Sequence, residues 1–180
     1  MLETDEEVRV LWIYTKPDLN TQRFLDLGCD LERVFIASAF SPNDLAFALA
    51  KASFNPNIRL IVIDNIVIPF LNHPDQYSLL KKFGNLLRLT VSLLPAVCLV
   101  VNYVNEKLDW YPSILGDTWS NFVDQRLLFY RGKNGESLAA LAKCFDQKNG
   151  CKTFKSIVKF SITDSFTFES EEITNNNKKT

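Results

Sequence analysis

The sequence has a single histidine, His73, and four cysteines that form no Cys-x-x-Cys pair. One imidazole cannot supply a histidine-rich metal site or, within this chain, a histidine-based catalytic triad. Cysteines without a pairing pattern indicate a reduced, intracellular protein. Charge of either sign is not in excess, because 20 basic and 21 acidic side chains give a net charge of -1. The overall charge therefore does not point to a nucleic-acid binder, although a local basic patch is compatible with it.

The sequence also lacks a recognisable targeting or membrane-spanning segment. Its first seven residues include four acids, Glu3, Asp5, Glu6 and Glu7, which is unlike a signal peptide. The apolar run at 93–101 is short and is interrupted by Pro95. Such a run cannot cross a bilayer as a helix, so we expect no membrane association.

Residues 59–65, Arg-Leu-Ile-Val-Ile-Asp-Asn, form the most informative stretch that is present. Four consecutive apolar residues, three of them β-branched, precede an acid, which suits a strand buried on both faces. The carboxyl end of such a strand is where open α/β sheets place their ligands. In nucleotide-hydrolysing folds the same pattern forms the Walker B strand, whose acid organises a magnesium ion. Asp64 is therefore either such an acid or a hydrogen-bond acceptor at the end of a central strand.

The patterning around this stretch predicts an α/β fold. The chain has 180 residues, 47% of them apolar, which is enough for one sizeable core. Strands alternate with helices and are followed by a meander, so we expect a mainly parallel sheet flanked by helices with an antiparallel C-terminal extension. Ser41 and Pro42 form a good N-cap and first turn for the second helix. The predicted strands are 8–15, 34–40, 59–64, 96–104, 125–130, 137–145 and 156–168, and the predicted helices are 21–27, 42–53 and 77–94.

The order of these pieces resembles the RecA-like recombinase core, and specifically the degenerate eukaryotic recombinase paralogues found as small subunits of Shu-type complexes. The resemblance covers nearly the whole chain and implies a RecA-like core over residues 1–168. Residues 169–180, acidic and then rich in Asn and Lys, are predicted to be a disordered tail. Four segments carry the resemblance: 11–15, like the strand after the P-loop helix; 34–44, like the next strand and helix start; 60–65, like Walker B; and 116–128, like the Gly-x-x-Trp-x-x-x-x-x-x-Arg-Leu region.

Departures from the family pattern indicate that the core is degenerate. The phosphate-binding loop Gly-x-x-x-x-Gly-Lys-Ser/Thr is absent, and Gly132-Lys133-Asn134 is the nearest approach to it. The family's catalytic glutamate corresponds to Lys16, and its Asn-Gln switch corresponds to Asn102-Tyr103. Without a phosphate cradle and a catalytic acid, we expect no nucleotide, metal or other cofactor. A truncated gene model would also remove the P-loop, but it would not explain Lys16.

The resemblance implies a partner surface at Ala37, Ala39 and Phe40. In the family, this strand helps to form a pocket that receives an aromatic side chain from a neighbouring protomer, and small alanines leave room for such an anchor. Ordinary packing of the strand against a helix accounts for the alanines equally well. Phe47-Ala-Leu-Ala50 has the family's Phe-x-x-Ala docking pattern, but its position in the middle of a helix favours core packing.

The resemblance also implies a DNA-binding loop that contains Lys107, Trp110 and Tyr111. A cation would hold a phosphate, and aromatic rings would stack on bases at about 1–3 kcal/mol per stacked base. Alternatively, Trp110 and Tyr111 fold back and cover an edge of the sheet.

The function implied by the resemblance is that of a nuclear, non-catalytic accessory subunit in homologous recombination. Such a subunit would pair with another RecA-like paralogue, bind single-stranded or forked DNA weakly and assist the recombinase filament. Asp64 would then be a vestigial Walker B acid. Two alternatives stay open: half of an ATPase whose P-loop comes from a partner, and a scaffold that does not touch DNA.

Overall fold

The computed structural model describes residues 8–104, 114–132, 134–146, 150–152, 157–162 and 168–173. Within it the chain divides into two compact units, Met1–Phe122 and Val123–Thr180. The first unit contains a parallel sheet flanked by helices, and the second contains an antiparallel sheet. The predicted α/β class and the change from parallel to antiparallel strands are therefore confirmed.

The first unit is built on four parallel strands in the order β2-β1-β3-β4. Helices connect these strands, and each crossover returns the chain to the end of the sheet at which the strands begin, so that all four run parallel. A 3-10 turn at Leu31–Arg33 precedes β2. The strands are β1 (Arg9–Tyr14), β2 (Val34–Ser38), β3 (Ile58–Asp64) and β4 (Val97–Val100), and the helices are α1 (Gln22–Asp26), α2 (Pro42–Ala52), α3 (Val67–Phe70), α4 (Gln76–Leu93) and α5 (Gly116–Ser120).

One face of the parallel sheet forms the core of this unit. The strand register places Leu11 beside Ile61 and Ile13 beside Ile63, so these four side chains share a face. Each of them is at most 6% exposed. Helix α2 packs on β1 and on α4, with Leu45, Ala48, Leu49 and Ala52 as its buried residues. Burial of these apolar side chains is the main force that holds the layer together.

Helix α2 begins where the sequence predicts. The Ser41 hydroxyl accepts a hydrogen bond from the amide of Asp44 over 3.2 Å, and the Asp44 carboxylate accepts one from the amide of Ser41 over 2.9 Å. This reciprocal capping box satisfies two amides that have no partner within the helix. Pro42 occupies the first turn, where a missing N–H costs nothing.

Helix α4 presents a slightly different face to the core from the one expected. The predicted apolar face included Leu79, Leu86 and Val91, which are only half-buried. The buried positions are Leu80, Phe83, Gly84, Leu87 and Thr90. The Phe122 ring packs directly against Gly84, where a Cβ would lie only 2.6 Å from the ring carbons. The lack of a side chain at Gly84 therefore allows this side of α4 to face the core.

The second unit is a sheet of five antiparallel strands. The predicted single strand 156–168 is wrong, because β8 ends at Ile162 and a separate strand begins at Phe168. That last strand pairs with β8, so residues 169–173 are ordered by sheet hydrogen bonds although they lie in the segment predicted to be a disordered tail. Residues 174–180 lie outside the described residues. The strands are β5 (Gln125–Arg131), β6 (Ser137–Asp146), β7 (Gly150–Lys152), β8 (Ile157–Ile162) and β9 (Phe168–Ile173), in the order β5-β6-β8-β9 with β7 also on β6.

Candidate functional site

Two strand ends meet at the carboxyl edge of the parallel sheet. Tyr14 and Asp64 are register partners on β1 and β3, so the residues that follow them, Thr15 and Asn65, are neighbours. The Thr15 hydroxyl donates a hydrogen bond to the carbonyl of Asn65 over 2.8 Å and accepts one from its amide over 2.9 Å. Both residues are at most 1% exposed. Thr15 and Asn65 are therefore held in fixed positions and shielded from water at this edge of the sheet.

The side chain of Asn65 links this edge of the sheet to Tyr103, which follows β4, and to α3. Its Nδ2 donates to the hydroxyl of Tyr103 over 3.1 Å. Its Oδ1 accepts from the amides of Val67 at 3.0 Å and Ile68 at 3.3 Å, which lack partners inside the short helix. A buried amide needs such partners, and Asn65 meets the requirement through both ends of its side chain.

Lys16, the residue after Thr15, lies against the ring of Tyr103. Its Nζ is 5.0 Å from the ring centroid, a cation–π distance. A hydrogen bond with Tyr103 raises the pKa of Lys16, and the negative charges of Asp18 and Asp64 act in the same direction. The side chain is thus a stable ammonium at neutral pH. An ammonium cannot accept a proton from water, so Lys16 cannot serve as a general base.

A cleft of about 370 Å³ opens beside Lys16 on the other side of the sheet from α2. Asp64 lies in its wall, at the carboxyl end of β3 where the sequence predicts it. Trp12 packs edge-on against Phe24 of α1, with ring centroids 4.9 Å apart, and its buried Nε1 has no hydrogen-bond partner among the described residues. The cleft is lined by Trp12, Tyr14, Lys16, Asp18, Leu19, Asn20, Arg23, Phe24, Leu27 and Asp64.

The described part of the chain contains no cluster of side chains that could bind a metal ion. No three His, Cys, Asp or Glu side chains are grouped there in a way that would hold an ion. Burial raises the pKa of the Cys98 thiol to about 12, so this cysteine stays protonated. Across the same residues, no helix combines the length and the apolar character that a bilayer crossing requires.

A second concavity, which we call the β2 groove, lies between β2 and α2 and has a volume of about 440 Å³. In the described part of the chain, β2 is an edge strand of the parallel sheet. The groove therefore runs along a strand that is paired on one side only. Small side chains, Ala37 and Ala48, form part of its lining. The groove is lined by Leu11, Phe35, Ile36, Ala37, Ser38, Asp44, Phe47, Ala48, Lys51, Ala52, Asn55 and Ile58.

The predicted partner residues are only partly brought together. Ala37 lines the β2 groove, whereas Ala39 is fully buried at 0% exposure and does not. Phe40 is 53% exposed and lies edge-on to Tyr14, with ring centroids 6.1 Å apart. Because Tyr14 lines the cleft beside Lys16, Phe40 lies on that side of the sheet and not in the β2 groove.

Phe47 departs from the expectation of core packing. It is 62% exposed and lines the β2 groove, and the Nζ of Lys51 lies 4.7 Å from its ring centroid. The buried residues of α2 are Leu45, Ala48, Leu49 and Ala52, so Phe47 lies roughly 150° away from their centre on the helix. The spacing of the buried positions along the sequence is the signal that indicates an exposed position for Phe47.

The predicted DNA-binding residues Lys107, Trp110 and Tyr111 lie outside the described residues. Their contact with DNA stays a prediction. Comparison of the chain with protein-family models and with curated proteins finds no match.

Proposed function

We propose that this chain is a non-catalytic accessory subunit in homologous recombination repair. It would pair with another RecA-like paralogue in the nucleus, bind single-stranded or forked DNA weakly and assist the recombinase filament. The observation that carries the proposal is the β2 groove, a concavity of about 440 Å³ beside an edge strand. The resemblance to the recombinase paralogues predicts that an aromatic side chain of a partner protein binds at this strand.

The β2 groove suits an extended segment of a partner protein. A strand added to the open edge of β2 would gain main-chain hydrogen bonds, and one of its side chains would enter the groove for specificity. Phe35 and Ile36 on β2 are 37% and 41% exposed, so apolar surface is available along that edge. Ala37 and Ala48 leave the space that an aromatic anchor needs.

The absence of catalysis is supported by the chemistry of Lys16. Lys16 is a stable ammonium and occupies the position that corresponds to the catalytic glutamate of the resembled family. We therefore expect the isolated chain not to bind or hydrolyse ATP, and Asp64 to be a vestigial acid. Isothermal titration with ATP and Mg²⁺ tests this expectation, and micromolar binding would contradict it.

The pairing is tested by co-expression with RecA-like paralogues of the same cell, followed by size-exclusion chromatography. Ala37→Trp fills the groove and should prevent the complex from forming. Ala50→Trp is the matched control, because Ala50 is exposed on α2 and does not line the groove. The proposal fails if no RecA-like paralogue co-elutes with the wild-type chain, or if both variants retain the partner equally.

The same complex distinguishes the alternatives. An ATPase half-site completed by the partner predicts that Lys16→Ala or Asp64→Asn lowers the turnover of the complex. A scaffold without DNA contact predicts that the complex binds oligonucleotides no more tightly than the partner alone. An accessory subunit predicts no ATPase effect of these variants and a salt-dependent gain in DNA affinity.

A further inference from the structure

Helix α4 has an outer surface that the proposed function does not use. The i, i+4 row Tyr77, Lys81, Asn85, Leu89 and Leu93 faces solvent along the whole helix. Tyr77, Leu89 and Leu93 are 68%, 57% and 65% exposed. None of the five lines the β2 groove or the cleft beside Lys16. We call this row the α4 ridge.

The charge on α4 is of one sign. Its 18 residues include Lys81, Lys82 and Arg88 and no acid. An acid three or four residues away on the helix would stabilise such a cation, and α4 offers none. Arg88 is already engaged, since it donates to the carbonyl of Asn121 over 2.9 Å and lies over the Phe122 ring. Neither Lys81 nor Lys82 forms an ion pair with any residue in the described part of the chain.

The two halves of the α4 ridge therefore differ in chemistry. Its amino-terminal half carries Lys81, with Lys82 adjacent to it on the helix, and its carboxyl-terminal half carries Leu89 and Leu93. From Lys81 to Leu93 the helix rises about 18 Å, which is the length of a partner helix of three to four turns. Ridges formed by i, i+4 rows pack into the grooves of a second helix, which is the common geometry of helix pairs.

From this arrangement, we propose that the α4 ridge is a docking surface for an acidic amphipathic helix of a partner protein. Apolar side chains of that helix would cover Leu89 and Leu93, and its acids would face Lys81 and Lys82. The choice of partner follows from charge complementarity, because α4 offers cations without acids of its own.

Two other occupants fit the ridge less well. A nucleic acid would engage the two lysines but would leave both leucines exposed, since phosphates make no apolar contact. A bilayer surface would need a broad apolar face, whereas the apolar face of α4 that contains Leu80, Phe83 and Leu87 is buried within the protein. A helix satisfies both halves of the ridge at once.

The test uses the full chain and a fluorescein-labelled synthetic helix of about 14 residues, or four turns, with leucines at helical spacing and glutamates on either side. We expect saturable binding by fluorescence anisotropy, weakened by added salt. The double variant Lys81→Glu/Lys82→Glu and the double variant Leu89→Ser/Leu93→Ser should each lower the affinity by about tenfold or more. The control variant Lys178→Glu/Lys179→Glu changes the net charge equally, replaces no residue of α4, of the β2 groove or of the cleft, and should bind as the wild type does.

Three probes distinguish the other outcomes: the same peptide with lysine in place of every glutamate, a single-stranded oligonucleotide and vesicles of anionic phospholipid. The proposal is overturned if the acidic peptide does not bind, or if the lysine peptide binds as tightly. It is also overturned if the α4 variants leave the affinity unchanged, or if DNA or vesicles bind the ridge more tightly than the peptide. Each α4 variant replaces exposed side chains only, and an unchanged melting temperature confirms that it is folded.

Discussion

The hydroxyl of Thr15 bridges both backbone groups of Asn65, a residue fifty positions away, through hydrogen bonds of 2.8 and 2.9 Å. The bridge joins the carboxyl ends of two neighbouring parallel strands at a point that water does not reach. Removing the hydroxyl would leave the amide and the carbonyl of Asn65 without this partner. A buried polar group without a partner costs about 1–3 kcal/mol.

We therefore predict that Thr15→Val, which keeps the shape of the side chain, lowers the free energy of unfolding by about 1–3 kcal/mol. Thr15→Ser retains the hydroxyl and should lose less stability. Urea denaturation followed by tryptophan fluorescence measures both variants. The argument is refuted if Thr15→Val loses no more stability than Thr15→Ser, because Thr15→Val removes only the hydroxyl group.

Tyr103→Phe should change the ionisation of Lys16. The hydrogen bond with Tyr103 is the main cause of the raised pKa of Lys16, so its removal should lower that pKa toward the ordinary value of 10.5. The same change removes the acceptor for Asn65 Nδ2 and should cost about 0.5–1.5 kcal/mol of stability. NMR titration of the lysine side-chain resonances gives the pKa. An unchanged value would place the source of the shift elsewhere.

Gly84→Ala should destabilise the first unit. The new Cβ would lie 2.6 Å from carbons of the Phe122 ring, so either the ring or the helix must move. Overpacking of this kind costs about 1–3 kcal/mol, which meets or exceeds the gain of about 1 kcal/mol in helix propensity. Asn85→Ala, at the neighbouring exposed position, is the control and should be neutral or slightly stabilising in thermal denaturation. The packing argument is wrong if both alanines stabilise the protein.

The capping box predicts a pH dependence of stability. Hydrogen bonds from Ser41 and the amide of Phe40 lower the pKa of Asp44 below its ordinary value of 3.8. Because the folded state favours the ionised form, the stabilisation is complete above about pH 3.8 and is lost as the pH falls through the folded-state pKa. The difference in melting temperature between the wild type and Asp44→Asn should therefore shrink in acid. A constant difference down to about pH 2 would refute the linkage.

The DNA-binding prediction concerns Lys107 and Trp110. If their loop contacts DNA, Lys107→Ala should weaken binding similarly for all sequences and reduce the salt slope by about one unit. Trp110→Ala should cost about 1–3 kcal/mol with little change in that slope. If Trp110 instead covers the sheet, its removal should lower the melting temperature because it leaves a cavity. Both quantities are measured in the assembled complex, and unchanged affinity in both variants would favour a scaffold without DNA contact.

Local patterns in the sequence were sufficient for the framework of the parallel sheet. The apolar run before Asp64 gave β3, and Ser41-Pro42 located the start of α2 within one residue. Helix α3 was missed because four residues that include Pro69 are too few to show a helical period. Strand β9 was missed because its charged residues have the composition of a disordered tail, and only pairing with β8 stabilises them as a strand.

The candidate site was harder to predict, because it depends on residues that are distant in the chain. Lys16 and Tyr103 were each singled out as departures from a family pattern, but nothing in the sequence indicates that the two side chains touch. The β2 groove depends on the exposure of Phe47, which is set by the rotation of α2 about its axis. An error of one residue in that rotation exchanges a core position for a surface position.

The bridge between Thr15 and Asn65 also has a kinetic consequence. The amide proton of Asn65 is held by a side chain from another strand, so it can exchange with deuterium only when β1 and β3 separate at their ends. The amides of Val67 and Ile68 are held in turn by Asn65 itself. The exchange rate of the Asn65 proton would therefore report how often this edge of the sheet opens, whereas the protons of Val67 and Ile68 would also exchange when α3 opens alone.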